Sequence, residues 1–373
     1  MSNYNPSLKV IDNRYMIITQ NAYGQPKKTT IIDTLVKMIE SVPSGSKNRV
    51  RVSAYSYKTD KVGNITPFYS ALLRAKKKNR NVRIIFNRKL RKDSDVRAFQ
   101  KKMGDSKKDD CIIFNKIGSV NNHNKFVLFA KVKFPGEDFY RTNVVAQTSC
   151  NFKGTTRSND LILIEDKTIY NAYYKYWLAL KKSSGSSYDV DKVSKGKGVK
   201  CYFFPKKSGD TILEILDNIN IKKTAKIRVL QSQFEDDRGF RIAQKIVAIA
   251  KEPKCTVEII LTKYTKSQGD TKTSSGGYLD KRIEKLLKKA KGVKLSIYEN
   301  GKHTNHSKVL MIDAKDYCGS SQKLVWTGSH NFNQNSLTNN DEALIKIKSK
   351  GVYEYYEQYF TRLQKDGPFE HNK

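Results

Sequence analysis

The stretches CIIFNKIGSVNNHNKFVLF, residues 111–129, and KLSIYENGKHTNHSKVLMI, residues 294–312, decide how this chain folds. Each passes from an apolar segment through a polar turn into a second apolar segment. Each also carries the tetrapeptide Asn-His-x-Lys at the entry to that second segment: Asn122-His123-Asn124-Lys125 and Asn305-His306-Ser307-Lys308. The chain has only five histidines, His123, His303, His306, His330 and His371, so two in the same local setting point to a repeat.

Outward from these stretches the correspondence continues at an offset of roughly 175 to 183 residues. RVRVSAY at 49–55 is answered by KIRVLQS at 226–232, and each follows a stretch with helical spacing, TTIIDTLVKMIESV and DTILEILDNI. YSALLRAKKKN and NVRIIF correspond to FRIAQKIVAIAKE and TVEIIL, whose β-branched runs suit strands buried on both faces. VVAQTSCNF at 144–152 answers LVWTGSHNF at 324–332, and SNDLILIED answers NNDEALIKI. The helices YNAYYKYWLAL at 170–180 and VYEYYEQYFTRL at 352–363 close the two halves, with tyrosines at core-facing spacing.

Helix alternating with strand in both halves predicts an α/β protein of two similar α/β/α sandwich domains with mixed or mainly parallel sheets, related by a pseudo-twofold axis. The Ser, Gly and Lys content around KKSSGSSYDVDKVSKGKG marks the boundary. We divide the chain into a first half at 1–185, a linker at 186–198 and a second half at 199–373. A second Lys- and Ser-rich stretch, TKSQGDTKTSSGG at 265–277, is expected to be a loop.

The 373 residues hold 71 Lys and Arg against 36 Asp and Glu, a net charge of +35. Such a field favours polyanions, either nucleic acid or an anionic membrane surface. The basic runs RAKKKN at 74–79 and NRKLRK at 87–92 are candidate contacts near the first Asn-His-x-Lys, unless they cover the outer face of a helix. Five scattered cysteines suggest neither a zinc site nor a disulfide framework and read as buried thiols. No apolar run reaches transmembrane length, and MSNYNPSLKV has no hydrophobic signal core. A removed signal peptide would leave the same picture; export is the expected location and the cytoplasm the alternative. The expected state is a monomer whose halves form an internal pseudo-dimer.

On a strand, histidine and lysine two residues apart project from one face and can reach one phosphate. One such motif arises by chance on the order of a few per cent of the time; its duplication in register gives it weight. Metal-free cleavage of a phosphodiester needs a nucleophile, a proton donor for the leaving oxygen, and cations or amides around the developing charge. Two His, two Lys and two Asn supply that set. His303, His306 and Asp313 lie close enough in sequence to suggest a metal, but Lys308 would put a competing cation among them and the other half has no matching set. Neither a metal nor another cofactor is expected.

The chain resembles the phospholipase D superfamily, with its paired His-x-Lys-x4-Asp motifs followed by Gly-Ser-x-Asn. The second copy matches at His306, Lys308, Asp313, Gly328, Ser329 and Asn331, with Glu342 where the family often places a carboxylate partner for histidine. The first copy has His123 and Lys125, Ala130 in place of the Asp, and Thr148-Ser149-Cys150-Asn151 in place of Gly-Ser-x-Asn, with Asp160 aligned to the later carboxylate. The resemblance implies a metal-independent phosphodiesterase with one active site at the domain interface and a covalent phosphohistidine intermediate.

By that resemblance His123 is the nucleophile and His306 the general acid and then base, with the opposite assignment left open. Lys125, Lys308, Asn151 and Asn331 would hold the nonbridging oxygens, with Ser149 and Ser329 beside the substrate. Asp160 and Glu342 would orient the imidazoles, and Asp313 would support the fold. The charge favours a sequence-nonspecific nuclease acting on DNA or RNA. The alternatives are a phospholipase D that releases a phospholipid headgroup, and a nucleic-acid-binding protein whose catalysis has lapsed.

Overall fold

Alternating helical and β-branched segments form two α/β units in the computed structural model, which describes residues 10–20, 30–60, 62–104, 111–115, 121–153, 157–182, 194–263, 279–299, 305–315, 320–366 and 369–371. His303, Cys318, the 265–277 loop and linker residues 186–193 lie outside the described residues. By their contacts the residues divide into one unit of Met1–Gln20, Lys27–Thr155 and Asp160–Phe203, and another of Asn21–Pro26, Thr156–Asn159 and Phe204–Lys373. The short segment before Asp160 thus joins the second unit.

In chain order the first unit contains β1 (Val10–Ile11), β2 (Tyr15–Gln20), α1 (Thr30–Ser41), β3 (Gly45–Ala54), α2 (Pro67–Lys77), β4 (Arg80–Phe86), α3 (Ser94–Lys102) and β5 (Ile112–Phe114). It continues through β6 (Asn121–Asn122), β7 (Lys125–Val132), β8 (Arg141–Thr148), β9 (Asn159–Glu165) and α4 (Lys167–Lys182) to a hairpin of β10 (Ser194–Gly196) and β11 (Val199–Phe204). Its sheet has the order β1-β2-β9-β8-β7-β3-β4-β5. Strands β3, β4 and β5 are parallel, whereas β7 runs antiparallel to β3 and to β8.

Strand β7 is buried on both faces from Lys125 to Phe129, which explains its unbroken apolar run. Val127 and Phe129 belong to the core that also holds Leu35 and Ile39 of α1 and Leu72 of α2. Phe126 points the other way and meets Tyr173 of α4 edge-on at 5.1 Å between ring centroids. The Tyr-rich closing helix is therefore a core element: Tyr173, Tyr176 and Trp177 are buried, and the Trp177 indole N–H donates to the Val52 carbonyl at 2.9 Å.

The second unit repeats the plan with α5 (Thr211–Asp217), β12 (Ala225–Gln231), α6 (Asp236–Ala250), β13 (Cys255–Lys263), α7 (Lys281–Lys289) and β14 (Val293–Glu299). It then has β15 (Val309–Lys315), β16 (Ser321–Gly328), β17 (Asn340–Lys348), α8 (Lys350–Asp366) and β18 (Phe369–His371). Within this unit the sheet runs β17-β16-β15-β12-β13-β14-β18, again with three parallel strands, β12, β13 and β14, beside antiparallel β15 and β16. Both sheets are mixed. Cys111, Cys150, Cys201 and Cys255 are buried free thiols, and burial pushes the Cys201 thiol up to about 12.

This topology places the two polar turns. Ala54 at the carboxyl end of β3 pairs with Lys125 at the start of β7, and Leu230 near the carboxyl end of β12 pairs with Val309 at the start of β15. Each Asn-His-x-Lys therefore lies at the carboxyl ends of its unit's parallel strands, the edge where open α/β sheets commonly bind ligands. Replacing Trp177 with Ala removes a buried indole and its bond to β3, and should cost about 3–5 kcal/mol of unfolding free energy in a urea titration.

Candidate active site

The Asn-His-x-Lys turn has the same hydrogen-bond plan in both units. Asn122 Oδ1 accepts from the Asn124 amide at 3.3 Å, and Asn305 Oδ1 accepts from the Ser307 amide at 3.0 Å. These are Asx turns, in which a side chain stands in for the backbone and fixes the histidine between its two ends. The lysine closes the turn: Lys125 Nζ donates to the His123 carbonyl and Lys308 Nζ to the His306 carbonyl, both at 2.6 Å. Both lysines are 1% exposed.

The middle residue anchors the turn to the aromatic closing helix. Asn124 Nδ2 donates to the Tyr176 hydroxyl of α4 at 3.1 Å, and Ser307 Oγ lies 3.0 Å from the Tyr359 hydroxyl of α8. Tyr359 donates in turn to the Asn159 carbonyl at 3.4 Å, so the Ser307 hydroxyl is the donor in their pair. Sequence reasoning took these tyrosines as packing alone; the signal for more was the polar residue between His and Lys in both copies. In the first unit, the half-exposed ring of Tyr55 lies edge-on to His123 at 4.8 Å, with Lys125 Nζ 5.0 Å from its centroid.

The Gly-Ser-x-Asn segment follows from strand packing. A Cβ on Gly328 would lie 2.1 Å from the Ala343 carbonyl oxygen, so only glycine fits there. At the equivalent place Thr148 donates its hydroxyl to the Asp160 carbonyl at 2.6 Å, and the first unit accommodates a side chain. The serines then play matching parts: Ser149 N–H donates to the Asp160 carbonyl and Ser329 N–H to the Ala343 carbonyl, both at 3.1 Å. Asn151 Oδ1 and Asn331 Oδ1 are both buried without a hydrogen-bond partner among the described residues. An orphaned acceptor thus recurs at one motif position in both units.

This register revises the repeat alignment. Thr148 faces Leu161 and Gly328 faces Leu344, so Asp160 corresponds to Ala343, and Asn159 takes the position of Glu342. The Asp160 carboxylate accepts from Ser149 Oγ at 2.7 Å. Asn159 instead lies on the second histidine, with its Oδ1 3.1 Å from His306 Nδ1, and the His306 N–H donates to the Ser158 carbonyl at 2.8 Å. Matching carboxylate to carboxylate hid Asn159; counting residues back from the strand partner of each serine reveals it.

Glu342 is buried and accepts from Ser336 Oγ at 2.9 Å, and that same hydroxyl accepts from the Asn331 amide at 3.2 Å. Arg238 supports this loop from α6, reaching the carbonyls of Asn333 at 2.6 Å and Asn331 at 3.4 Å and the His330 ring at 3.2 Å. Its fork also grips Asp210. Burial alone would raise the Asp210 carboxyl, but the bonds and charge of Arg238 outweigh it and hold the carboxyl below its ordinary range. Gln233 Oε1 takes the Asn331 amide at 2.8 Å. His330 is buried against Phe204, as part of this scaffold.

Asp313 lies elsewhere. It is five residues along β15 from Lys308, roughly 17 Å at strand spacing, too far to touch the same phosphate. It pairs with Lys323 at 2.9 Å, directly opposite on β16. Among the described residues no group of three or more His, Cys, Asp or Glu side chains is arranged to hold a metal ion, and no helix is long and apolar enough to cross a membrane.

Residues 215–364 match a family model described as cardiolipin synthase, PLD-like domain. The fold is similar to phosphatidylserine synthase from Haemophilus influenzae Rd KW20, at 10% identity and a TM-score of 0.66, over 97% of this chain and 89% of that one. It is also similar to polyphosphate kinase from Porphyromonas gingivalis, at 11% identity and a TM-score of 0.64, over 95% of this chain; the chain spans about half, 47%, of the kinase. Nuc from Salmonella typhimurium, a phospholipase D family member, aligns at 21% identity over 46% of this chain and 97% of that one, with a TM-score of 0.32. No curated protein matches the sequence.

Changing Tyr176 or Tyr359 to Phe keeps the ring and deletes the hydroxyl that anchors each turn. Each change should lower the unfolding free energy by about 1–2 kcal/mol in urea titrations. An unchanged midpoint in both would mean that the hydroxyls do not hold the turns.

Proposed function

We propose that this chain, whose residues 215–364 form a phospholipase D-like domain and whose two units carry that superfamily's fold, is a metal-independent phosphodiesterase that cleaves nucleic acid. One observation carries the reading: the same Asx turn, with a histidine held between an asparagine and a buried lysine, is built twice, once in each half of the repeat. A buried ammonium is costly to desolvate, so two of them beside two histidines suit an anionic ligand.

In this reading His123 attacks phosphorus as the bond to the leaving oxygen breaks, and His306 donates a proton to that oxygen. His306 then takes a proton from water, which attacks phosphorus and breaks the phosphorus–nitrogen bond, restoring His123. Lys125, Lys308, Asn151 and Asn331, with Ser149 and Ser329 beside them, stabilise the charge on the nonbridging oxygens. Glu342 and Asp160 act on the imidazoles through the hydrogen-bonded framework around them.

The choice of nucleic acid rests on the surface beside His123. The basic run at 88–92 forms a short 3-10 turn after β4, on which Arg88, Lys89, Arg91 and Lys92 are all exposed, so it does not coat a helix face. Asn87, which caps it, donates to the Asn122 carbonyl at 3.4 Å and ties it to the histidine turn. The other basic run, at 74–79, ends α2, where Arg74 pairs with Glu40. Of the exposed large apolar side chains described, Tyr55 lies singly on His123 and Val62 in the loop after β3, while the pair Phe139 and Tyr140 lies between β7 and β8, at the end of β7 away from His123. Single side chains are less than the apolar surface that an enzyme entering a lipid interface buries around its reacting end.

The test sets plasmid, single-stranded DNA, RNA and phosphatidylcholine vesicles against the protein in excess EDTA. Cleavage of nucleic acid is expected to survive EDTA and to weaken by roughly 100-fold or more in affinity from about 50 to about 200 mM salt. A radiolabelled phosphoenzyme should vanish in His123→Ala and accumulate in His306→Asn. Headgroup release without nucleolysis would replace this reading with a phospholipase, and salt-sensitive binding without cleavage would leave a binding protein.

A further inference from the structure

Arg51 of β3 and Arg228 of β12 hold the same place in the repeat: Arg51 pairs across its sheet with Leu128, three residues beyond Lys125, and Arg228 with Met311, three residues beyond Lys308. Both are buried, at 4% and 5% exposed. A guanidinium keeps its charge when buried and needs an anion beside it. Arg228 has two. Its Nε donates to Glu258 of β13 at 2.6 Å and its Nη1 to Glu357 of α8, with the Phe360 ring centroid 5.5 Å from the guanidinium. Lys226, two residues earlier on the strand, reaches the same Glu258 at 3.6 Å.

The first unit keeps the cations and replaces the anions. Arg83 stands opposite Arg51 on β4, where Glu258 stands opposite Arg228 on β13. On α4, Trp177 lies 5.3 Å from Arg51 as Phe360 lies near Arg228, and Tyr174, three residues earlier, takes the place of Glu357. Arg49 corresponds to Lys226 and lies 5.0 Å from the Tyr174 centroid. Arg51 Nη1 reaches the carbonyls of Val50 at 3.0 Å and Asn81 at 2.8 Å, and among the described residues no carboxylate pairs with it. The Nε atoms of Arg49 and Arg51 are buried without a hydrogen-bond partner among the described residues. Burial, together with the charges of Arg83 and Arg49, pushes Arg51 down to about 10. The ring faces offset part of the charge but accept nothing from N–H groups in the guanidinium plane.

We propose that Arg49, Arg51 and Arg83 form a binding site for a phosphate group, which takes the place that two glutamates fill in the second unit. Phosphate matches guanidinium forks in geometry and brings more than one negative charge to a group of three cations. Arg49, Arg83 and Tyr174 are half-buried, so the group opens to solvent on their side. Arg51 lies three residues before Ala54, the partner of Lys125, roughly 10 Å back along β3 from the histidine turn. The site is therefore separate from that turn, and its phosphate belongs either to a free anion or to a nucleic-acid strand.

The experiment follows the assigned Nε–H signal of Arg51 by nitrogen-resolved NMR in the full chain, so that phosphate bound elsewhere is not what is read. Millimolar inorganic phosphate should shift the signal to saturation, and chloride at the same ionic strength should not. A short single-stranded DNA is the second probe, added to His123→Ala so that the strand stays whole. A signal moved by the strand and not by the free anion assigns the phosphate to a nucleic-acid backbone. Arg83→Glu and Tyr174→Glu each restore one carboxylate of the second unit. Each should displace the signal before any addition and weaken the phosphate response about tenfold or more, the worth of one charge-assisted hydrogen bond. An Arg51 signal that neither probe moves, a chloride response as large as that of phosphate, or a full response in both variants overturns the proposal and leaves the aromatic rings as the support of the guanidinium. If one variant does not fold the other decides, and if neither folds the native titration does. None of these outcomes depends on whether the chain cleaves nucleic acid.

Discussion

Two short hydrogen bonds, from a lysine ammonium to the carbonyl of the histidine two residues before it, set the terms for the rest of this structure. They hold a cation against the histidine's main-chain carbonyl at the carboxyl edge of each sheet, and buried cations are stable only inside a framework of fixed dipoles. The Asx turn of the preceding asparagine, the tyrosine hydroxyl from the closing helix and the continuous apolar strand behind the lysine supply that framework.

The repeat shows which parts of the framework are fixed by geometry and which are free to diverge. The asparagine, histidine, lysine and tyrosine roles recur in both units with nearly the same distances. Glycine at 328 is imposed by a carbonyl at van der Waals range, yet the first unit places a threonine there and ties its hydroxyl to the corresponding carbonyl. Asp313 is free to be Ala130 in the other copy because its work is a cross-strand ion pair with Lys323, far along the strand from the lysine of the motif. These differences between the two copies thus fall on packing and surface pairing, while the turn that carries the histidine recurs in both.

Around that turn the support is layered. Arg238 crosses from α6 to gather two carbonyls and the His330 ring, and its bidentate pairing with Asp210 gives a guanidinium that is almost wholly buried its opposite charge. The loop bearing Asn331 is held by this group and by Gln233, so that the orphaned amide oxygen is kept in place by rigid elements. Hydrogen-bonded shells of this kind keep a polar site from collapsing onto itself when no ligand is bound.

The doubled α/β plan, the strands, the closing aromatic helices and the histidine-lysine pairs were legible in the order of residues, because strand and helix periodicities and a motif repeated in register are local properties of the chain. Register across a ladder is not local. Asp160 looked like the counterpart of Glu342 because both are acids a similar distance beyond the serine, but the pairing of Thr148 with Leu161 and of Gly328 with Leu344 moves that position to Asn159. The contact of Asn159 with His306 spans 147 positions, and the tyrosine hydroxyls reach their turns across 52. Hydrogen bonds of that kind depend on where folded elements bring two backbones together, which only the tertiary structure decides.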